Sequence, residues 1–164
     1  MVETDVQRTI LNSYEVGFQD RHKPVSNNKA SAEYIIYDGA PYTKDRTSSW
    51  LKKMDIILIP LVVSPNDITS LAQTINELPK AVQELSFVVF NRVIKPYRKS
   101  HKAVIPLIEK ILKGTKVKKI NTELSQLDAF ALIGGSKNST LLEKKSSGKK
   151  ALEQVKSLVN EVNI

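Results

Sequence analysis

Continuous runs of β-branched and other apolar residues recur along this chain and predict buried β-strands. The runs cover Glu33–Asp38, Asp55–Val63, Leu85–Val93 and, more weakly, Val117–Ile120. Apolar and polar positions do not alternate within them, as they would in a strand with one solvated face. Continuous runs are typical of parallel strands that are covered on both faces of the sheet.

Helical periodicity separates these runs. Residues 64–78 begin with Ser64-Pro65-Asn66-Asp67, which combines a capping hydroxyl, a first-turn proline and an acid three residues later. In residues 100–114, Pro106 predicts a late start or a kink. Residues 147–162 place an apolar stripe on one helix face, made of Leu152, Val155, Leu158, Val159 and Val162. Residues 17–31 and 134–148 lack periodicity and are predicted to be loops.

The alternation of strands with helices predicts the fold class. It favours an α/β fold with a doubly wound, mostly parallel sheet flanked by helices. A length of 164 residues supports one such domain and is too short for two.

Composition excludes several kinds of site. The chain has no cysteine, so it has no disulfide, thiolate nucleophile or cysteine-held metal. His22 and His101 are its only histidines and are expected at the surface. No apolar run is long enough to span a bilayer, and Glu3 and Asp5 stand where a secretory signal would carry positive charge. A cytoplasmic protein without a membrane partner is expected.

The net charge of +8 is concentrated in one segment. Residues 92–119 carry 10 basic side chains against the single acid Glu109, whereas residues 1–91 carry 9 basic and 11 acidic side chains. Such a block attracts phosphate backbones or acidic surfaces. A lysine-rich solvated helix is the alternative interpretation.

Polar residues stand at the ends of the predicted strands, where open parallel sheets bind ligands. Asp38 ends one strand, Asn91 and Arg92 end another, and Glu3 and Asp5 end a short strand at the N-terminus. Each also has a local interpretation, because Asp38-Gly39 is a common turn sequence and Asn91 suits a turn or cap.

The order of these motifs resembles the ParA/MinD family of deviant Walker ATPases, specifically its ParA partition branch. The resemblance rests on the segments ETDVQRT, YIIYDGAP, MDIILIPLVVSPNDI and VVFNRV, taken in that order. Glu3-Thr4-Asp5-Val6-Gln7 matches the family's Asp-x-Asp-Pro-Gln-like motif, with Glu for the first Asp and Val for Pro. Asp38-Gly39-Ala40-Pro41 matches the Walker B aspartate and the loop after it. With residues 120–143, the likeness covers nearly the whole chain and implies a P-loop NTPase-like fold.

The resemblance implies an ATP site and assigns roles in it. Asp38 would hold Mg²⁺ through a bound water, which suits a cation that dehydrates reluctantly. Asp5 would position the attacking water near the γ-phosphate, and Asn91 would hydrogen-bond the adenine edge. Gly39 and Pro41 would shape the loop that senses the γ-phosphate.

The resemblance also implies partners. Members bind DNA nonspecifically, form a homodimer around ATP and respond to a ParB-like DNA-bound partner, which would place this chain at the nucleoid. On the basic segment the DNA contacts would come from Arg92, Lys95, Arg98, Lys99 and Lys102.

The family's glycine-rich phosphate loop has no counterpart in the 164 residues. The nearest glycine pair, in Gly134-Gly135-Ser136-Lys137, lacks the spacing and the strand-to-helix setting of such a loop. We therefore expect a single ParA-like domain over residues 1–164 that lacks the family's first strand, phosphate loop and first helix. ATP binding would be impaired, and an apolar sheet edge and face would be left uncovered.

Several explanations and functions stay open at this point. A misplaced start codon, a degraded gene copy or a genuine short form would each account for the lacking loop. The leading function is a ParA-like ATPase of DNA partitioning for a plasmid, chromosome or mobile element. The alternatives are a noncatalytic ParA-like interaction module and a basic, nonspecific DNA-binding protein that shares only the α/β architecture.

Overall fold

Parallel strands organise the computed structural model of this chain, which describes residues 2–3, 36–38, 51–97, 99–133 and 146–162. Strands β1 (Val2–Glu3) and β2 (Tyr37–Asp38) form a two-stranded parallel sheet. Strands β3 (Ile57–Val62), β4 (Ser86–Val93) and β5 (Lys118–Ser125) form a three-stranded parallel sheet in that order. The predicted α/β class and parallel pairing are confirmed.

Helices connect and flank the three-stranded sheet. They are α1 (Pro65–Glu77), a 3₁₀ helix (Lys80–Leu85), α2 (Lys99–Lys113), α3 (Asp128–Ile133) and α4 (Ser146–Glu161). The predicted start of α1 is confirmed, with Pro65 in its first turn. The predicted capping by the Ser64 hydroxyl is wrong, because this hydroxyl donates its hydrogen bond to the Asp67 carboxylate and caps no backbone group. None of the helices in this described part of the chain has the length and apolarity needed to cross a bilayer.

The bounds of α2 and β5 differ from those the sequence predicts, and α4 begins at Ser146, inside the predicted loop of residues 134–148. Helix α2 begins at Lys99, so the late start inferred from Pro106 is wrong. Pro106 is exposed, while Val104 and Ile108 of the same helix are buried, and this packing outweighs one lost backbone hydrogen bond. Strand β5 continues to Ser125, five residues beyond Ile120, although these residues are mostly polar.

One face of the three-stranded sheet is covered by α1 and α2. Val88 and Phe90 of β4 point to this face and belong to the same apolar cluster as Leu71 and Ile75 of α1 and Ile108 of α2. The buried Ser86 begins β4, and its hydroxyl donates a hydrogen bond to the Val82 carbonyl at 2.8 Å. This first face is the main core of the described residues.

The second face is covered by α4, which also contacts α3. Val89 of β4 and Ile120 of β5 pack there against Val162, next to the partly buried Leu158. Two side chains of α4 also bond the backbone of β5. Gln154 Oε1 accepts the Ser125 N–H at 3.0 Å, and the Glu161 carboxylate accepts the N–H groups of Asn121 and Thr122.

The hydrogen bonds from α4 satisfy backbone N–H groups of β5 that its pairing with β4 leaves without a partner. The β4–β5 register shifts between the pairs Val88–Lys119 and Phe90–Glu123, so the residues between them on β5 form a bulge. An unsatisfied edge of this kind is a pairing hazard. Glu161 covers the bulge, which explains why polar residues continue as a strand there.

The predicted apolar stripe of α4 is only half buried. Ala151 and Val162 are buried and Leu158 is partly so, whereas Leu152, Val155 and Val159 are exposed. The helix is rotated so that Gln154 and Glu161 reach β5. The hydrogen bonds from Gln154 and Glu161 to β5, and not the apolar spacing alone, therefore set the rotation of the helix.

We expect Glu161→Ala to lower the free energy of unfolding by about 1–2 kcal/mol, because it removes two hydrogen bonds to a charged acceptor. Burial opposes ionisation of Glu161, but the Asn121 and Thr122 N–H groups lower its pKa from the ordinary 4.5. Its contribution is therefore full above that value and is lost as the pH falls through the lowered pKa.

Urea denaturation at pH 7 and at pH 3 measures both effects. The exposed Glu153 of the same helix is the control, and Glu153→Ala should change the stability by less than about 0.5 kcal/mol. An equal loss for the two variants would contradict the edge-sealing role of Glu161.

Candidate functional site

Two acidic residues end the paired strands β1 and β2. Glu3 and Asp38 are the last residues of their strands and lie directly opposite each other in the register. The short N-terminal strand that the sequence predicted is therefore confirmed. Asp5, Gly39 and Pro41 lie outside the described residues.

Glu3 and Asp38 are the candidate residues of the predicted magnesium site, because both are acidic and end neighbouring strands. Carboxylates at the ends of parallel strands are the hard oxygen ligands that Mg²⁺ takes, with water completing its shell. The described residues include no group of three or more His, Asp or Glu side chains that could hold a metal by themselves. The sequence contains no glycine-rich motif with the spacing of a phosphate loop.

The end of β4 is locally strained. Arg92 has a φ angle of 54°, in the left-handed region that costs a residue with a side chain roughly 1 kcal/mol or more. The register of β4 against β5 shifts between Phe90 and Val93, so the strain coincides with a bulge. Such outliers concentrate at sites where the backbone must present a group in one direction.

Asn91 stabilises this unusual turn of the backbone. Its Oδ1 accepts the N–H of Arg92 at 2.9 Å, while its backbone lies opposite Val62 of β3. This contact of the Asn91 Oδ1 agrees with the local interpretation of Asn91 as a turn residue.

The structure does not bring all the predicted site residues onto one sheet. Glu3 and Asp38 lie on the two-stranded sheet, and Asn91 and Arg92 lie on the three-stranded one. Within the residues described, no ladder of hydrogen bonds joins the two sheets. The magnesium half and the adenine half of the predicted site are thus built on separate elements.

A partly buried carboxylate next to this turn was not predicted from the sequence. Glu123 of β5 accepts a hydrogen bond from the Tyr97 hydroxyl, and its Oε2 lies 2.8 Å from Lys95 Nζ. Oε2 is buried and makes no hydrogen bond of ordinary geometry, so its contact with Lys95 is chiefly electrostatic. This cluster fastens the connection between β4 and α2 onto β5.

The charges of the cluster are set by its geometry. Burial opposes ionisation of Glu123, but the Lys95 ammonium and the Tyr97 hydroxyl lower its pKa overall. Burial and the neighbouring Glu123 carboxylate raise the pKa of Tyr97. Tyr97 therefore stays a hydrogen-bond donor and Glu123 an anion at neutral pH.

His101 is half-buried, so the expectation of a surface histidine is wrong. Its ring meets that of Tyr97 edge to face at a centroid distance of 6.2 Å, and its Nδ1 is buried without a hydrogen-bond partner. No spacing motif marks Lys95, Tyr97, His101 and Glu123 as neighbours. Glu123 also lies beyond the predicted end of this strand at Ile120, so the sequence did not mark it as an acid within a strand.

A row of lysines occupies the exposed side of α2. Lys99, Lys102, Lys110 and Lys113 are all exposed. The salt bridges among the described residues pair Lys95 with Glu123 and Lys116 with Glu84, and none involves this row. We call these four lysines the basic face of α2.

The predicted DNA-contacting residues divide between different settings. Lys99 and Lys102 belong to the basic face of α2, whereas Lys95 is held by Glu123. Arg92 is exposed at the strained end of β4, and Arg98 lies outside the described residues. Sequence reasoning did not assign Lys110 and Lys113 to this surface, although their spacing from Lys99 and Lys102 is helical.

Comparisons with known proteins give no family. No protein-family model matches this chain, and no curated protein matches it.

We expect Arg92→Gly to raise the free energy of unfolding by about 1 kcal/mol, because glycine adopts a positive φ angle without steric cost. Arg92→Val should lower it, since a β-branched residue fits this conformation worst. Thermal and urea denaturation of the two variants measure the difference. Lys52→Gly, at an exposed lysine in a turn before β3, controls for glycine replacing a cationic residue. Equal stabilities for Arg92→Gly and Arg92→Val would show that the left-handed conformation carries no strain.

Proposed function

We propose that this chain is a ParA-like protein of DNA partitioning that holds DNA on the basic face of α2. The observation that carries the proposal is the row of exposed lysines on that helix, which has no salt-bridge partner among the described residues. An interaction with a polyanion is the direct use of such a surface.

The geometry of the basic face suits a nucleic-acid backbone. Lys99 and Lys113 are fourteen residues apart, so the row extends on the order of 20 Å at 1.5 Å per residue. That length corresponds to roughly six base pairs of a duplex. A surface of this kind contacts phosphates without reading bases, which supports nonspecific binding.

The magnesium–ATP part of the proposal is supported by the β1–β2 pair. Glu3 and Asp38 stand opposite each other at the carboxyl end of parallel strands, where the Walker B aspartate of the resembled family stands. In this proposal Asp38 faces Mg²⁺, Asp5 the γ-phosphate, Asn91 the adenine, and Gly39 and Pro41 the switch loop. The ParB-like partner, the ATP-bound homodimer and the nucleoid location follow from the same resemblance.

A plain basic DNA-binding protein is the second candidate. It is favoured by the fact that α2, which carries the basic face, packs on the three-stranded sheet, whereas Asp38 belongs to the two-stranded sheet. Under this candidate DNA affinity is independent of ATP. Under the ParA-like proposal ATP and Mg²⁺ strengthen DNA binding once a phosphate loop is supplied.

We expect charge reversal of Lys102 and Lys110 together to weaken binding to a short random-sequence duplex by tenfold or more. Each lost phosphate contact should also reduce, by about 1, the magnitude of the slope of the logarithm of the binding constant against the logarithm of the salt concentration. Fluorescence anisotropy at several salt concentrations measures both quantities.

The matched control reverses the charges of Lys52 and Lys53, two exposed residues that precede β3. It changes the net charge by the same amount. Its effect on the slope should be small. If the two double variants weaken binding equally, the attraction is a matter of net charge and the basic face of α2 is not the binding surface.

We also expect the 164-residue chain to show no micromolar affinity for ATP in the presence of Mg²⁺. The physical reason is that the N–H groups and lysines of a phosphate loop, which neutralise the β- and γ-phosphates, are not in the sequence. Isothermal titration calorimetry makes the measurement, with Asp38→Ala as the comparison. Micromolar binding that disappears in Asp38→Ala would contradict this expectation.

A further inference from the structure

The rotation of α4 leaves one flank of the helix apolar and exposed. Leu152, Val155 and Val159 recur at intervals of three and four residues and are 48%, 39% and 36% exposed. Isolated apolar residues at a surface are ordinary, but a stripe at this spacing is the pattern of a helix that packs against another helix.

The hydrogen bonds of α4 determine where this flank points. Gln154 and Glu161 are seven residues apart and therefore lie on one line along the helix, which faces the outer edge of β5. Leu158 and Val162 face the sheet. At 100° per residue, Val155 and Val159 lie on the other side of Leu158 and Val162 from Gln154 and Glu161. The apolar flank thus faces away from the β5 edge, toward β4 and β3.

The part of the sheet on that side is also apolar and exposed. Leu58 and Pro60 of β3 stand opposite Phe87 and Val89 of β4, so they share the second face of the sheet, on which α4 packs. Leu58 is 43% exposed and Val62, two residues beyond Pro60, is 38% exposed. The apolar flank of α4 and these exposed residues of β3 lie on the same side of the sheet, and we call them together the β3–α4 strip.

Charge distinguishes the possible occupants of the β3–α4 strip. Lys149 and Lys156 are exposed on the border of the flank that faces solvent. A second copy of α4 would bring these lysines against their equivalents, which is unfavourable. A helix with carboxylates beside its apolar stripe would place opposite charges there instead.

We propose that the β3–α4 strip is a docking site for an amphipathic helix of a partner protein, with an apolar stripe flanked by acidic residues. Buried parallel sheets carry helices on both faces, and a docked helix would complete the second face. Apolar anchors at helical spacing would fill the strip, and the flanking acids would pair with Lys149 and Lys156. This surface is independent of the basic face of α2.

Two labelled peptides of about five helical turns test the proposal. Both carry leucines at a, d and e positions, with glutamates on the flanks in the acidic peptide and lysines in the basic one. We expect the acidic peptide to bind the full chain at least about tenfold tighter than the basic peptide, as measured by fluorescence anisotropy.

Substitutions connect the binding to the strip. Val155→Asp should weaken binding of the acidic peptide by tenfold or more. The double variant Lys149→Glu with Lys156→Glu should bind the basic peptide more tightly than the acidic one. Leu85→Asp, at an equally exposed apolar residue of the 3₁₀ helix, and Lys150→Glu, on the polar side of α4, should leave binding unchanged.

Other outcomes would overturn the proposal. Equal affinity for the two peptides, or binding of neither, would remove the acidic helix as the occupant. A dimer in sedimentation equilibrium that Val155→Asp dissociates would assign the strip to a second copy. A larger fall in Tm for Val155→Asp than for Leu85→Asp would show that the chain covers the strip with its own residues.

Discussion

The burial of β4 on both faces is the constraint on which the described structure depends. Val88, Val89 and Phe90 are successive residues that point to alternate faces, and each is at most 2% exposed. A strand of this kind needs backbone partners on both sides and apolar cover above and below. The pairing with β3 and β5 supplies the first, and the helices supply the second.

The two covers of β4 are not equivalent. The first face receives α1 and α2, whose apolar residues form one large cluster with β4. The second face receives α4, which lies over β5 because its polar side chains bond the backbone there. A helix positioned at one edge cannot also cover the other, so the cover over β3 is thin. The β3–α4 strip is a consequence of sealing the β5 edge.

The fold class was predictable because it depends on patterns that burial imposes over many residues. The apolar runs of β3 and β4 and the capping sequence at Ser64 each gave an element within one or two residues of its observed end. The rotation of α4 and the length of β5 were not predictable. Both depend on hydrogen bonds between Glu161 and a strand 39 and 40 residues earlier, which no local pattern contains.

The same distinction holds for the candidate site. Asp38 at the end of its strand and the basic block after Asn91 are visible in the sequence as local features. The opposition of Asp38 to Glu3 required the register of β1 and β2. Predicting the cluster around Glu123 required a contact between β5 and the connection that precedes α2. In this contact Tyr97 and Glu123 are 26 residues apart in the sequence.

Glu123 also explains why the basic segment of the sequence is not one uniform surface. It is a carboxylate within a strand, and burial alone would favour its neutral form. The contact with Lys95 keeps it ionised and in turn commits the exposed Lys95 side chain to an ion pair within the chain. Tyr97 adds a hydrogen bond that fixes the chain just before α2 begins. The start of α2 is therefore anchored by one acid–base pair, and the lysines further along the helix are left to face solvent. A single internal anion thus divides the positive charge of the segment into a part that holds the helix in place and a part that is available to a polyanion.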